Sequence, residues 1–182
     1  MKVVVLDGDG VINNIAAHDI QSAAEWKPLP GSLEAIAKLC QGGCRVFIAA
    51  NYGGIGRGLL DYDTLFAMFE RLQKLVSEMG GRIDGIFFAP EHPDQASEMR
   101  KPNPGMLQDL ARRLQLNLDE MVMVGDGASD LDAALAAGVR PVLVRTGKGR
   151  RTEAEHHLKG VTVCDDLAAF AAQWLATHGS HH

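Results

Sequence analysis

Short, continuous apolar runs constrain the fold of this chain more than any other feature. Val3 to Leu6, Arg45 to Ala49, Gly85 to Ala89, Met121 to Val124 and Pro141 to Val144 lack the polar–apolar alternation of a half-buried strand. A strand without that alternation is buried on both faces, the habit of parallel sheets covered by helices on each side. The intervening segments supply the helices. Ser32 to Cys40 places Leu33, Ile36, Ala37 and Leu39 on one helical face, and Gly42-Gly43 ends it. Similar patterns predict helices over Thr64 to Met79, Pro104 to Leu116 with proline in the first turn, Ser129 to Ala137 and Leu167 to Leu175. The expected fold is α/β: a three-layer α/β/α sandwich around a Rossmann-like parallel sheet.

The chain has 182 residues, which suits one domain over residues 1–178 with a substantial core. The terminal Gly179-Ser180-His181-His182 reads as a tag remnant. A net charge of -5 leaves no basic surface that would announce nucleic acid or a membrane as partner. The basic stretch Lys148-Gly149-Arg150-Arg151 is short and reads as a solvated loop. No apolar run approaches the ~20 residues of a membrane span. The three cysteines Cys40, Cys44 and Cys164 have no metal-like spacing and read as buried free thiols. A cytoplasmic, monomeric protein is expected.

The polar residues gather where parallel strands end, which is where open α/β sheets bind ligands. The first strand runs into Asp7-Gly8-Asp9-Gly10, the second into Ala50-Asn51-Tyr52-Gly53, and the fourth into Gly125-Asp126, with Asp130 beyond. Arg100-Lys101-Pro102 follows the third strand. Any one of these aspartates alone reads as a turn-former or helix cap. Together, crowded carboxylates are costly without a cation among them. An oxygen-rich set of this kind suits Mg²⁺ shared with phosphate oxygens. A lysine can neutralise a phosphoryl group, and an aspartate beside a metal can attack phosphorus. A second carboxylate two residues away can give and take back a proton.

At Asp7-Gly8-Asp9-Gly10-Val11, Arg100-Lys101-Pro102, Gly125-Asp126 and Arg145-Thr146-Gly147-Lys148-Gly149 the chain resembles the HAD (haloacid-dehalogenase) superfamily of phosphatases. Within it, the resemblance is to the heptose-1,7-bisphosphate and histidinol phosphatases with a minimal cap. The resemblance implies a Mg²⁺-dependent phosphomonoesterase acting on a phosphorylated sugar. Asp7 would be the nucleophile, Asp9 the general acid and base, and Lys101 the phosphoryl counter-charge. Asp7, Asp9 (through its backbone carbonyl) and Asp126 would hold Mg²⁺. Asn51, Arg57 and Arg100 would contact substrate, Asp130 would support the site from behind, and residues Ile15 to His18 would lie over its mouth.

Several positions depart from that family. Its hydroxyl residue at the end of strand two is Ala50 here, a lost donor that can cost about 10²–10³ in rate. Its arginine between the aspartates is Gly8, its Gln-Ser after asparagine is Tyr52-Gly53, and Gly127-Ala128 follow Asp126. Its zinc loop keeps only His92 between Ala89 and Met99, so no zinc is expected and the Glu91–Met99 segment is expected to be mobile. These changes make the pocket smaller-chained and less polar. They raise a second expectation: an engineered scaffold reshaped for another ligand or reaction, with Tyr52 and His18 as introduced groups and phosphatase activity weak or lost.

Overall fold

The structure, a computed structural model, describes residues 2–14, 23–95 and 97–178. Six parallel strands form one sheet: β1 (Lys2–Leu6), β2 (Cys44–Asn51), β3 (Gly85–Ala89), β4 (Met121–Gly125), β5 (Arg140–Val144) and β6 (Thr162–Cys164), in the order β3-β2-β1-β4-β5-β6. Six helices connect them: α1 (Ser32–Gln41), α2 (Tyr62–Glu78), α3 (Gly105–Leu114), α4 (Ala128–Ala137), α5 (Gly149–Glu155) and α6 (Leu167–His178). The chain builds outward from β1 to β3, then returns to β4 on the other flank of β1. The crevice between β1 and β4 is therefore the topological switch point.

Strand periodicity divides the continuous runs between two cores. Val4, Leu6, Val46, Ile48, Val122 and Val124 face a core shared with Ile36, Leu39, Leu72 and Phe170 of α1, α2 and α6. Val3, Val5, Phe47, Ala49, Met121 and Met123 face Leu107, Leu110 and Ala134 of α3 and α4. Each residue lies on the face opposite its chain neighbour, as a pleated strand requires. That is why the runs are apolar throughout.

Helix ends follow their local chemistry. Asp61 caps α2 by accepting the Thr64 N–H at 2.7 Å. Gly138 closes α4 at φ 77, in the left-handed region that glycine enters without penalty.

The structure corrects several boundaries. β2 runs through Asn51, two residues beyond the expected Ala49, because Ala50 and Asn51 still pair with Phe88 and Ala89 of β3. The helix expected over Thr64–Met79 begins at Tyr62, where Asp61 caps it, and its last residue is Glu78. Pro104 caps α3 from outside, and that helix stops at Leu114. The basic stretch read as a solvated loop instead opens helix α5, whose Gly149 and Thr152 are buried against the strand ends. Strand β6 adds a sixth strand to the five that the sequence predicts; its three residues carry too little periodicity to read.

Residues Ile15 to His18, expected over the pocket mouth, and the 179–182 tail lie outside the described residues. Between Glu91 and Met99 the structure shows a short 3-10 turn at Pro93–Gln95, and the His92 ring accepts the Asp94 N–H at 3.0 Å. No helix among the described residues is long and apolar enough to cross a membrane.

Removing core volume should cost far more than trimming the surface. Leu39→Ala empties a fully buried site on α1 and should destabilise by about 2–5 kcal/mol. Leu135→Ala, on the outer face of α4 at 56% exposure, should stay within about 0.5 kcal/mol. Urea denaturation midpoints of the two variants check this.

Candidate active site

Asp7 stands one residue past β1, where its N–H still pairs with Val124 O at 3.0 Å. The chain then turns sharply: Gly8 O accepts the N–H groups of Val11, Ile12 and Asn13. Asp9 is fixed on this turn by the Asn13 side-chain amide, which donates to its Oδ1 at 2.8 Å. Gly10 cannot be replaced without strain. Its φ is +83, and a β-carbon there would fall 2.0 Å from Asp126 Oδ2.

Lys101 reaches the site from the segment after β3, with only 3% of its surface exposed. Its Nζ donates to Asp7 Oδ1 at 3.0 Å, Asp130 Oδ1 at 2.5 Å and Ala49 O at 2.7 Å. Three donors meet three acceptors, so the buried ammonium is satisfied. Burial alone would lower the lysine's pKa. The neighbouring Asp130 and Asp7 carboxylates outweigh it and hold the ammonium above its ordinary value.

Asp130, in the first turn of α4, is 2% exposed and has no oxygen to spare. Its Oδ2 accepts the N–H groups of Asp126 and Gly127, both at 3.2 Å, while Oδ1 takes Lys101. Asp126, at the end of β4, receives the Lys148 N–H on Oδ2 at 2.9 Å, and Thr152 donates to its carbonyl at 2.7 Å. These bonds join β4, α4 and α5 around a single carboxylate.

Carboxylate oxygens of Asp7, Asp126 and Asp130 lie within 4.8 Å of one another. One lysine cannot balance them. Burial first, then the Asp130 charge, pushes the Asp7 carboxyl well above the ordinary carboxylate range despite the opposing pull of Lys101. Asp126 is pushed to about 6, chiefly by burial, with the Asp130 charge adding to it. A site of oxygen donors that resists its own ionisation fits a hard divalent cation. Asp130 is already committed to Lys101 and two amides, so Asp7 and Asp126 are better placed to ligate.

A cavity of about 280 Å³ opens over this cluster, lined by Asp7, Asp9, Ala50, Asn51, Tyr52, Arg100, Lys101, Asp126 and Lys148 among others. Among the described residues expected to act in catalysis, substrate binding or metal binding, Arg57 alone does not line it; it is exposed on the turn after β2. Asn51, expected to contact substrate, spends its amide on Lys101. Its Nδ2 donates to Lys101 O at 2.8 Å, and its Oδ1 accepts the Lys101 N–H at 3.0 Å. Arg100 is oriented by donation to Glu91 O at 3.1 Å.

Lys148 and Ser129 also line the cavity, although sequence reasoning gave neither a role. Lys148 belongs to the Arg145–Gly149 segment that carried part of the family resemblance, which was the available signal for it.

A family model described as HAD-hydrolase-like matches residues 98–170. A D-glycero-beta-D-manno-heptose-1,7-bisphosphate 7-phosphatase of Bordetella bronchiseptica is 46% identical over 96% of this chain and 98% of its own length. The Pseudomonas putida protein of the same name is also 46% identical, over 96% of this chain and 100% of its own. The crystal structure of the B. bronchiseptica phosphatase, complexed with magnesium and phosphate, superposes with a TM-score of 0.94 over 97% of this chain and 99% of that one. Fold and site together define a HAD hydrolase of the phosphatase class. The chain belongs, within it, to the D-glycero-D-manno-heptose-1,7-bisphosphate 7-phosphatase family. Nothing in this similarity supports the engineered-scaffold expectation.

Without a cation, the site should make stability pH-dependent. Asp7 and Asp126 hold protons more tightly folded than unfolded, so their contribution is greatest at low pH. It is lost as pH rises through about 6 for Asp126. In chelator, the urea midpoint should fall between about pH 5 and about pH 8. A midpoint that rises across this window would contradict the charge balance described.

Proposed function

We propose that this phosphatase removes a phosphoryl group from a heptose 1,7-bisphosphate through an aspartyl-phosphate on Asp7, with Mg²⁺ as its cofactor. The observation carrying this reading is the Lys101 ammonium held between Asp7 and Asp130, with Asp9 two residues from Asp7 on the same cavity wall.

In the first half-reaction an Asp7 oxygen forms a bond to phosphorus as the bond to the sugar oxygen breaks. The Asp9 carboxylic acid delivers its proton to that leaving oxygen. In the second, the Asp9 carboxylate takes a proton from water as the water oxygen bonds to phosphorus. The acyl-phosphate bond breaks, which frees inorganic phosphate and restores both aspartates. Lys101 offsets charge on the phosphoryl oxygens and on Asp7 throughout. Asp7 and Asp126 would hold Mg²⁺ with the Asp9 carbonyl, and the ion when bound keeps the nucleophile ionised and draws charge from the phosphoryl oxygens.

Arg100 and Lys148 at the cavity wall are suited to the rest of a doubly phosphorylated sugar, and Arg57 lies further out. Asn51 acts by holding Lys101. Arg100, Lys101 and Lys148 give the cavity cationic groups for a small anionic substrate, and we read the enzyme as monomeric, cytoplasmic and of one domain.

Phosphate release from heptose 1,7-bisphosphate tests the reading. Turnover should require Mg²⁺ and vanish in Asp7→Asn. Asp9→Asn should lose about 10²–10⁴-fold in rate. Metal-independent turnover, or full activity in Asp7→Asn, would refute it. Mg²⁺ should also raise the melting temperature by mass action, more at about pH 8 than at about pH 5, where protons compete for Asp126.

A further inference from the structure

Two glycines at the site are not required by the backbone. Gly8 and Gly53 both lie outside the left-handed region, so other residues could adopt their conformations. Space is what they provide. A β-carbon at Gly8 would sit 2.9 Å from the Tyr52 hydroxyl, and one at Gly53 would sit 3.0 Å from the Arg100 guanidinium. Each glycine admits the polar end of a side chain that lines the cavity.

Tyr52 is the more informative of the two. Its ring is held edge-on by Phe69 and Phe88, with centroids 5.8 and 6.5 Å away. Its hydroxyl is thereby fixed beside Gly8, between the two aspartates of the turn, and the side chain reaches the cavity next to Asp7, Asp9 and Ala50. Ala50 offers the cavity only a methyl group, and the Asn51 amide is committed to Lys101. A tyrosine hydroxyl is a hydrogen-bond donor at neutral pH, so it can donate into the cavity.

We infer that the Tyr52 hydroxyl is a phosphoryl-binding group of this enzyme: it donates a hydrogen bond to a phosphoryl oxygen of the substrate, from a position that Gly8 keeps clear. The inference rests on the phosphatase reading above and assigns to Tyr52 a contact that the Ala50 methyl group cannot supply. The sequence-level view of Tyr52 as a group introduced for a different ligand is then unnecessary.

The test uses the full chain with Mg²⁺, an aryl phosphate as substrate and inorganic phosphate as ligand, comparing wild type, Tyr52→Phe, Gly8→Ala and the double variant. Tyr52→Phe keeps the ring and its aromatic contacts. It should lower kcat/KM and weaken phosphate binding by roughly 10- to 100-fold, as expected for losing a hydrogen bond to a charged group. Mg²⁺ affinity without phosphate should stay within about twofold, since an uncharged hydroxyl outside the ligand set is removed. Gly8→Ala should cause a comparable loss by displacing the hydroxyl, and the double variant should lose little more than either alone.

Wild-type kcat/KM and phosphate affinity in Tyr52→Phe would overturn the inference while leaving the phosphatase reading intact. Additive losses in the double variant would also overturn it, because Gly8 would then act independently of Tyr52. If wild type binds phosphate without hydrolysing the ester, the phosphate affinities alone decide. A wild type that binds no phosphate would overturn both.

Discussion

The site depends on one buried ammonium. Lys101 is nearly inaccessible, yet it carries its charge because Asp7 and Asp130 stand on either side of it and the Ala49 carbonyl accepts its third N–H. Taking a charge out of water costs several kcal/mol, so removing either partner from such a group is strongly unfavourable. The elements that supply the partners, β1, β2 and α4, are thus tied to the segment that carries the lysine. Asn51 strengthens the tie by clasping the Lys101 backbone with both ends of its amide. The same contacts aim the lysine at the place where a phosphoryl group would meet Asp7.

The fold leads to this arrangement directly. Reversal of strand order between β1 and β4 leaves a crevice at their carboxyl ends, and the first polar residues after these two strands, Asp7 and Asp126, fall into it. The turn after β1 has to be tight for Asp9 to face the same cavity as Asp7. Gly10 permits it by approaching Asp126 more closely than any side chain could. Helix α5 completes the enclosure through the Lys148 amide at its N-cap and the Thr152 hydroxyl, which hold the Asp126 carboxylate and carbonyl.

What the sequence revealed, and what it hid, follows from the range of the interactions. The Val3–Leu6 run was legible because burial on both faces makes it uniformly apolar, and Asp7, Asp9, Lys101 and Asp126 were legible because their order and spacing are local. Helix α5 escaped because its residues are mostly charged and only Gly149 and Thr152 are buried. Strand β6 escaped because it is three residues long, at the sheet edge. Nothing in the Asn51 neighbourhood discloses that its amide serves a backbone fifty positions away. The relation between Gly8 and Tyr52 likewise exists only in three dimensions. From sequence, both read as departures from a family pattern; in space they are one feature, a small residue making room for a large one.

The central claim is that Asp7, activated within this carboxylate and lysine cluster, forms a covalent bond to phosphorus. Acid-quenched mass spectrometry of Asp9→Asn during reaction with an aryl phosphate tests it most directly. An aryl leaving group needs little protonation, so the first step proceeds without Asp9 while the water attack that follows is slowed. A phosphoryl adduct on the peptide bearing Asp7, absent from Asp7→Asn, is the result expected. Release of the aryl alcohol in several-fold excess over enzyme, with that peptide unmodified at every time point, would contradict it.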